Sequence, residues 1–220
     1  MKNLKTTSLY DLSHTMAAPL LAGTEYPWEA LSGIKDFIVA LIATLDRNEY
    51  TEYGENVFVH KSATVAKSAF IGGPAIIGEG TEVRHCAFIR GSAFVGKNCV
   101  VGNSTELKNV ILFDNVQVPH YNYVGDSILG YRSHMGAGSI TSNVKSDKTL
   151  VTVNAEEKIE TGLKKFGAML GDGVEIGCGS VLNPGTVIGK NTNVYPLSSV
   201  RGFVPENSIY KRLGEIAEKR

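Results

Sequence analysis

Aliphatic residues recur at every sixth position along much of this chain. Nine of them follow one another without a gap: Val59, Val65, Ile71, Ile77, Val83, Ile89, Val95, Val101 and Leu107. The residue four places after each is small in all but one case, and the residue directly after each is often glycine. The same spacing returns further along, at Leu170, Ile176, Leu182, Ile188, Val194 and Val200. Strands alternate every two residues and helices repeat near 3.6, so this pattern belongs to neither alone.

A six-residue repeat is typical of a hexapeptide β-helix, in which short flat strands alternate with tight turns. Each aliphatic side chain points into a narrow prism and stacks on its counterpart one coil away, roughly 4.8 Å along the axis. Three hexads make one coil of about eighteen residues, and small residues fill the remaining interior positions. The pattern therefore predicts an all-β solenoid over residues 51–205, with about three coils over 59–113 and about two over 170–205.

Three segments fall outside the repeat. Residues 27–46 place apolar side chains at three-and-four spacing, which predicts an amphipathic helix with Pro27 at its first position. We interpret residues 1–50 as a helical cap on one end of the solenoid, with a docking helix for another subunit as the alternative. Residues 206–220 are predicted to form a short helix that covers the other end. The polar segment 144–168 should project from the prism, either as a solvated loop or as a loop that carries chemistry.

Composition narrows the class of protein. Basic and acidic residues number 22 each, so no overall charge favours nucleic acid or an anionic membrane as a partner. The apolar part of the predicted N-terminal helix is far shorter than the roughly 20 residues that span a bilayer, and no signal peptide is recognisable. Three cysteines without CxxC spacing indicate a reduced, cytoplasmic chain and no cysteine metal site.

Candidate chemistry concentrates between residues 90 and 143. Arg90 and Lys108 are eighteen residues apart, so they should occupy the same corner of consecutive coils. Two neighbouring cations repel each other unless an anion such as a phosphate bridges them. The spacing alone leaves open whether they bind an anion or are ordinary solvated side chains. It leaves His120 equally open, as a catalytic base or as a surface histidine.

The segment from residue 106 to 143 carries a more specific signal. It contains three motifs: Lys108-Asn109, His120-x-x-Tyr123-x-Gly125-Asp126 and Gly136-Ala137-Gly138-x-Ile140-x-x-Asn143. An arginine, Arg90, precedes them in an earlier strand. Motifs and spacings resemble the acetyltransferase domain of the bacterial bifunctional enzyme that makes UDP-N-acetylglucosamine. They resemble its archaeal sugar-1-phosphate nucleotidylyltransferase/N-acetyltransferase relatives more closely still. The likeness covers roughly residues 55–205, and it implies a left-handed parallel β-helix.

The resemblance implies transfer of an acetyl group from acetyl-CoA to the amine of an amino sugar phosphate, with glucosamine 1-phosphate as the first choice. It also implies a homotrimer with sites between neighbouring chains. His120 corresponds to the family's base, and an imidazole suits removal of an ammonium proton near neutral pH. The implied substrate-binding residues are Arg90, Lys108, Tyr123, Asn143 and a loop lysine, Lys148 or Lys145. The implied acetyl-CoA contacts are Ala137 within the backbone of residues 136–138, Cys178 and Arg201.

The chain also departs from that family. It lacks the nucleotidyltransferase half and its GxGTR-type signature, so pyrophosphorylase activity is not expected. His134 replaces an Asn of the bacterial enzymes, and it either alters the acceptor pocket or is a passive surface histidine. Two other functions stay open: acyl transfer to a different amino sugar or sugar nucleotide, and a non-catalytic role as partner of a sugar nucleotidyltransferase. A zinc-dependent carbonic anhydrase on this scaffold is not supported, because no two histidines have the required short spacing.

Overall fold

The computed structural model describes residues 2–219 and shows a parallel β-helix flanked by short helices. Each coil gives one short strand to each of three faces, and parallel pairing between coils joins the strands of a face. The predicted fold class, a left-handed parallel β-helix of hexapeptide repeats, is confirmed. The helical elements all lie before the solenoid, at Lys2–Leu4, Thr6–Leu9, Leu12–His14, Ala18–Ala22, Pro27–Ser32 and Ile34–Ile42.

The strands are grouped here by face. Face one contains Val57–His60, Ala75–Ile77, Ala93–Val95, the second halves of Glu106–Leu112 and Tyr123–Leu129, then Ala168–Leu170, Thr186–Ile188 and Phe203–Val204. Face two contains Thr64–Val65, Glu82–Val83, Val100–Asn103, Gln117–His120, His134–Met135, Glu175–Ile176, Asn193–Val194 and Ser208–Arg212. Face three contains Phe70–Ile71, Phe88–Ile89, the first halves of Glu106–Leu112 and Tyr123–Leu129, then Ile140–Thr141, Val181–Leu182 and Ser199–Val200. Tyr50–Gly54 adds an antiparallel strand beside the first strand of face one.

The coils continue without a break through residues 108–142, where the six-residue repeat of the sequence is interrupted. Leu112 pairs in parallel register with Val95 of the preceding coil and with Leu129 of the following one. Both steps are one residue shorter than the eighteen-residue coil. The shortening explains why the repeat is hard to follow there, although Leu112 and Leu129 are fully buried in the prism like the other aliphatic residues.

The N-terminal helices pack along face one, which corrects the prediction that residues 1–50 cap an end of the solenoid. The outward-facing row of face one is apolar and buried, at Phe58, Ile76, Phe94, Ile111, Ile128, Met169 and Val187. An apolar row of this length has to be covered. Tyr10 contributes to the cover, since its ring lies 5.1 Å from that of Phe113 and its hydroxyl donates to the carbonyl of Ile128 at 3.2 Å.

The predicted helix over 27–46 is divided at Gly33. Pro27–Ser32 is a 3-10 helix with its proline in the first turn, as expected, and Ile34–Ile42 is an α-helix. Gly33 is the C-cap of the first element and the N-cap of the second. Among the described residues, no helix has both the length and the apolar character needed to cross a bilayer.

The predicted C-terminal helix is wrong. Ser208–Arg212 and Glu215–Glu218 form an antiparallel hairpin that reverses near Gly214, which has a φ of +78°. Tyr210 pairs in register with Val194 and is only 2% exposed, so it takes the next interior position of the prism. Continuing the stack in this way satisfies the open edge of face two, which a helix would leave without main-chain partners.

The polar segment 144–168 folds back against the solenoid instead of projecting freely. It contains a hairpin of Thr152–Asn154 and Lys158–Glu160. Val151, Val153 and Phe166 are completely buried, so the segment is anchored by apolar contacts that its polar composition conceals. It enters between the Ile140–Thr141 and Ala168–Leu170 strands and therefore begins directly after Asn143.

Candidate functional site

The predicted site residues lie along the two edges of face three. The corner between faces two and three, here called the histidine edge, holds His120, Ala137 and Cys178 in successive coils. The Gly138 N–H donates to the carbonyl of His120 at 3.0 Å, and the Gly179 N–H donates to that of Ala137 at 2.8 Å. These main-chain bonds keep the three residues stacked at the coil spacing of about 4.8 Å.

The corner between faces three and one, here called the cation edge, holds Arg90, Lys108, Asn143 and Arg201. Ile89 pairs with Leu107 in parallel register, so Arg90 and Lys108 lie side by side as their spacing predicts. Arg201 is in register with Asn183, several coils further along the same edge. The structure thus brings Arg90, Lys108 and Asn143 together and places Arg201 apart from them.

Each of the two stacked cations is paired with a carboxylate of the chain itself. Arg90 pairs with Glu106 at 2.8 Å, and Lys108 pairs with Asp126 at 3.0 Å. The repulsion that suggested a bound anion is therefore already relieved within the protein. This corrects the inference that stacking alone requires a phosphate, and any role of these cations in binding has to rest on their remaining donors.

Asp126 is the centre of the hydrogen-bond network at the cation edge. Its carboxylate accepts from the Lys108 ammonium at 3.0 and 3.1 Å, from the Asn109 amide at 3.0 Å and from the Asn143 amide. Asp126 is only 4% exposed. A buried carboxylate with this many donors is fully satisfied, as the cost of burying a charge demands.

Tyr123 lies on face three between the two edges. Its hydroxyl oxygen accepts from the Asn143 amide at 3.2 Å. A Cβ on Gly125 would lie 2.4 Å from that oxygen, so the glycine of the Tyr-x-Gly motif makes room for the phenol. Burial, then the nearby charges of Asp126 and Glu106, raise the pKa of Tyr123. The hydroxyl therefore stays protonated at neutral pH and can donate a hydrogen bond.

His120 is exposed at the histidine edge, and its imidazole makes no hydrogen bond or ion pair within residues 2–219. Most of the main-chain N–H groups of the neighbouring Gly-Ala-Gly motif are already hydrogen-bonded within the protein. The N–H groups of Gly136 and Gly138 donate to carbonyls of adjacent coils, to Ile176 and His120 respectively. Of the three, the Ala137 N–H alone finds no acceptor in the described part of the chain.

The remaining predicted residues are distributed away from this arrangement. Lys148 is exposed in a turn closed by its own N–H donating to the carbonyl of Lys145, and it does not contact Asn143. Arg201 lines a polar cavity of about 340 Å³ together with Lys145 and Asn154. His134 lies on face two, where its Nδ1 contacts Glu175 at 2.8 Å, so it does not border face three.

Two residues at the cation edge were given no role by the sequence analysis, Glu106 and Asp126, although Asp126 belongs to the quoted motif. Glu106, the partner of Arg90, precedes an interior leucine and looks like any outward-facing polar residue. Asp126 lies eighteen residues after Lys108 but is not its equivalent, because Lys108 is in register with Gly125. The step of five residues, not six, from Leu107 to Leu112 is the signal that could have revealed this shift.

Comparisons with known proteins agree with the fold and with the motifs. A family model described as "GMPPB C-terminal domain" matches residues 75–164. The "Bifunctional protein GlmU" of Methanococcus maripaludis is 35% identical over 107 residues, which cover 48% of this chain and 26% of that protein. Over about half of its length the chain is therefore similar to these bifunctional enzymes. The resemblance inferred from the motifs is thereby confirmed.

Other relatives extend the comparison. A "Bifunctional sugar-1-phosphate nucleotidylyltransferase/acetyltransferase" of Sulfurisphaera tokodaii is 32% identical over 106 residues, 48% of this chain and 26% of that protein. The chain thus spans 26% of the length of these curated relatives. Among solved structures, the acetyltransferase domain of PglB from Neisseria gonorrhoeae in complex with acetyl coenzyme A is 18% identical, with a TM-score of 0.35. That match covers 70% of this chain and 53% of the PglB chain.

Proposed function

We propose that this protein is an N-acetyltransferase that moves an acetyl group from acetyl-CoA to the amine of an amino sugar phosphate. The observation that carries the proposal is the arrangement around face three. An unpaired imidazole, His120, lies at one edge, a cluster of cations and amides lies at the other, and Tyr123 lies between them. Relatives named as bifunctional nucleotidylyltransferase/acetyltransferases support the same reaction class.

The chemistry follows from the residues at the histidine edge. An ammonium is not a nucleophile, so His120 accepts a proton from the substrate nitrogen. The nitrogen then forms a bond to the thioester carbonyl carbon, and the C–S bond breaks to release the CoA thiol. Negative charge develops on the acetyl oxygen during attack, and the unpaired N–H of Ala137 is a donor suited to it. Cys178, one coil further, extends the surface available to the acyl donor.

The acceptor is held by the cation edge. Arg90 and Lys108 each keep free N–H donors after pairing with Glu106 and Asp126, and such donors bind phosphate oxygens strongly. We expect the Tyr123 hydroxyl, and the Asn143 amide through its oxygen, to bind sugar hydroxyls and to align the amine with the thioester. Glucosamine 1-phosphate carries an amine and a phosphate at neighbouring carbons of one ring, and we propose it as the acceptor.

We propose that the active form is a cytoplasmic homotrimer. Face three exposes Phe70 and Phe88, which are 59% and 42% exposed and whose ring centroids lie 5.6 Å apart with the rings tilted by 55°. Exposed aromatic rings on a flat face favour contact with another chain. Arg201 lies on the edge of face three opposite to Cys178, and in the proposed trimer these two acetyl-CoA contacts come from neighbouring copies. Lys148 is included as an acceptor contact in the same assembly.

The test is release of free thiol from acetyl-CoA by the purified protein with glucosamine 1-phosphate and a panel of other amino sugars and sugar nucleotides. His120→Ala should lower the rate about 100-fold or more, the typical contribution of a general base. His134→Ala is the matched control, because this histidine pairs with Glu175 on face two, and it should stay within about twofold of the parent rate.

The panel also separates the proposal from its alternatives. Thiol release that depends on another amino sugar or on a sugar nucleotide would support acyl transfer but assign a different acceptor. No release with any acceptor, from folded protein, would reject acyl transfer and favour a binding partner of a sugar nucleotidyltransferase. Equal activity of the His120→Ala variant would reject the assignment of the base.

A further inference from the structure

Asp126 is unusual in being a buried carboxylate next to the proposed acceptor site. It is buried, yet it directly contacts two residues proposed to bind the acceptor, Lys108 and Asn143. We infer that Asp126 is the positioning residue of the acceptor site, holding Lys108 and Asn143 in the orientation that binds the sugar phosphate. This inference rests on the function proposed above and assigns Asp126 no contact with the substrate itself.

The geometry explains why a carboxylate is used. Lys108 carries a flexible side chain with a compact charge, which would sample many rotamers at a solvated corner. Two contacts, at 3.0 and 3.1 Å, tie its Nζ to both oxygens of Asp126. The second oxygen also accepts from the Asn143 amide, so one carboxylate sets the relative position of both side chains. Fixing both in advance reduces the entropy lost when substrate binds.

The backbone of Asp126 is fixed as firmly as its side chain. Its φ is +48°, in the left-handed region that Asp and Asn tolerate better than other residues apart from glycine. Its carbonyl accepts from the Gly167 N–H at 2.8 Å, which joins it to the far end of the inserted segment. Asp126 therefore connects the strand that carries Tyr123 with the segment that begins after Asn143.

The network also reaches the N-terminal helices. One amide nitrogen, Nδ2 of Asn109, donates to Asp126 at 3.0 Å and to the carbonyl of Leu31 at 3.1 Å. Leu31 belongs to the Pro27–Ser32 helix that packs on face one. The N-terminal segment is therefore in contact with the positioning residue, although it lies on a different face from the proposed substrate.

Asp126→Asn is the sharpest test, because Asn keeps the shape and tolerates the left-handed backbone while it removes the charge. With loss of positioning, kcat/KM for glucosamine 1-phosphate should fall about 100-fold, the effect of a small misplacement in a site. The KM for acetyl-CoA should stay within about twofold of the parent value. Glu82→Gln, which removes an exposed carboxylate paired with Arg84 on face two, is the matched control.

A second readout needs no activity. Acetic anhydride labels lysines, and mass spectrometry of peptides compares Lys108 with the exposed Lys67. Lys108 should be protected in the parent protein and labelled several-fold faster in Asp126→Asn. If Asp126→Asn does not fold, Asn109→Gly, at a φ of +54°, removes a second contact to Asp126 without backbone strain and should also raise Lys108 labelling.

The two readouts keep the outcomes distinct. A parent protein inactive with every acceptor would reject the proposed function, while faster Lys108 labelling in Asp126→Asn would still show that Asp126 positions Lys108. Unchanged kcat/KM together with unchanged Lys108 labelling in a folded Asp126→Asn variant would overturn the inference. An equal fall in activity toward both substrates, without faster Lys108 labelling, would show a general structural role and would likewise overturn it.

Discussion

Trp28 should be the largest single contributor to the docking of the N-terminal helices on the solenoid. It is 2% exposed and is the chain's one tryptophan. Its ring stacks on Tyr26 with centroids 4.7 Å apart and lies 5.7 Å from Phe166 of the inserted segment. Phe166 in turn donates its N–H to the carbonyl of Asn143, so Trp28 supports the cation edge indirectly.

The expected cost of Trp28→Ala follows from buried area. A buried tryptophan removes about 200 Å² from water, which at about 25 cal/mol per Å² corresponds to about 5 kcal/mol as an upper bound. A compact unfolded chain lowers that figure, and measured Trp→Ala substitutions in cores cost about 3–5 kcal/mol. We therefore expect Trp28→Ala to lower the free energy of unfolding by about 4 kcal/mol, a large part of a typical domain's stability.

The assay is urea unfolding followed by far-ultraviolet circular dichroism at one protein concentration, because the variant has no tryptophan fluorescence. Trp28→Phe keeps a ring between Tyr26 and Phe166 and should lose less than half as much. Tyr53→Ala, at a side chain that is 52% exposed, is the surface control and should change stability by less than about 0.5 kcal/mol. A loss below about 1 kcal/mol in Trp28→Ala, with an unchanged denaturant slope, would refute this account of how the segment is anchored.

Three further predictions concern the solenoid. In Gly102→Ala the new Cβ would lie 1.6 Å from a carbonyl oxygen of the next coil, so urea unfolding should show a loss of about 3 kcal/mol or more. Gly138→Ala meets no atom within 4 Å and suffers only from its φ of +70°, so it should cost about 1–2 kcal/mol, and equal losses in the two variants would contradict the steric argument. Burial raises the pKa of Cys99 to about 12, whereas Cys86 and Cys178 are exposed. A thiol-reactive dye should therefore label two cysteines in the native protein and the third only on unfolding. Because the thiol ionises more readily in the unfolded chain, its effect on stability is absent below about pH 9 and grows to a loss of about 1.4 kcal/mol per pH unit towards pH 12. Cys99→Ala should flatten this part of the pH–stability curve, and an unchanged slope would exclude Cys99 as its source.

Much of the candidate site could be predicted because the repeat converts sequence spacing into position. Arg90 and Lys108 share a corner since each follows an interior aliphatic residue, and a fixed coil length carries that register from one coil to the next. His120 and Ala137 share the opposite corner across a shortened coil of 17 residues, so their assignment came from the resemblance of the motifs and not from the repeat. The network around Asp126 could not be predicted, because one shortened coil changes which residue faces Lys108.

The sequence by itself determined the solenoid, with its interior and the order of residues along its edges, outside residues 108–142 where the six-residue spacing is interrupted. These follow from local physics, since a prism of this width admits an aliphatic side chain at one position in six and small ones elsewhere. The tertiary structure decided how the rest of the chain covers that solenoid. The N-terminal helices lie on face one because Phe94 and Ile128 present an apolar row there, and Tyr210 makes the C-terminus a strand by filling the next interior position. Such choices depend on contacts between residues far apart in sequence, where the surface to be covered exists only after the coils have formed.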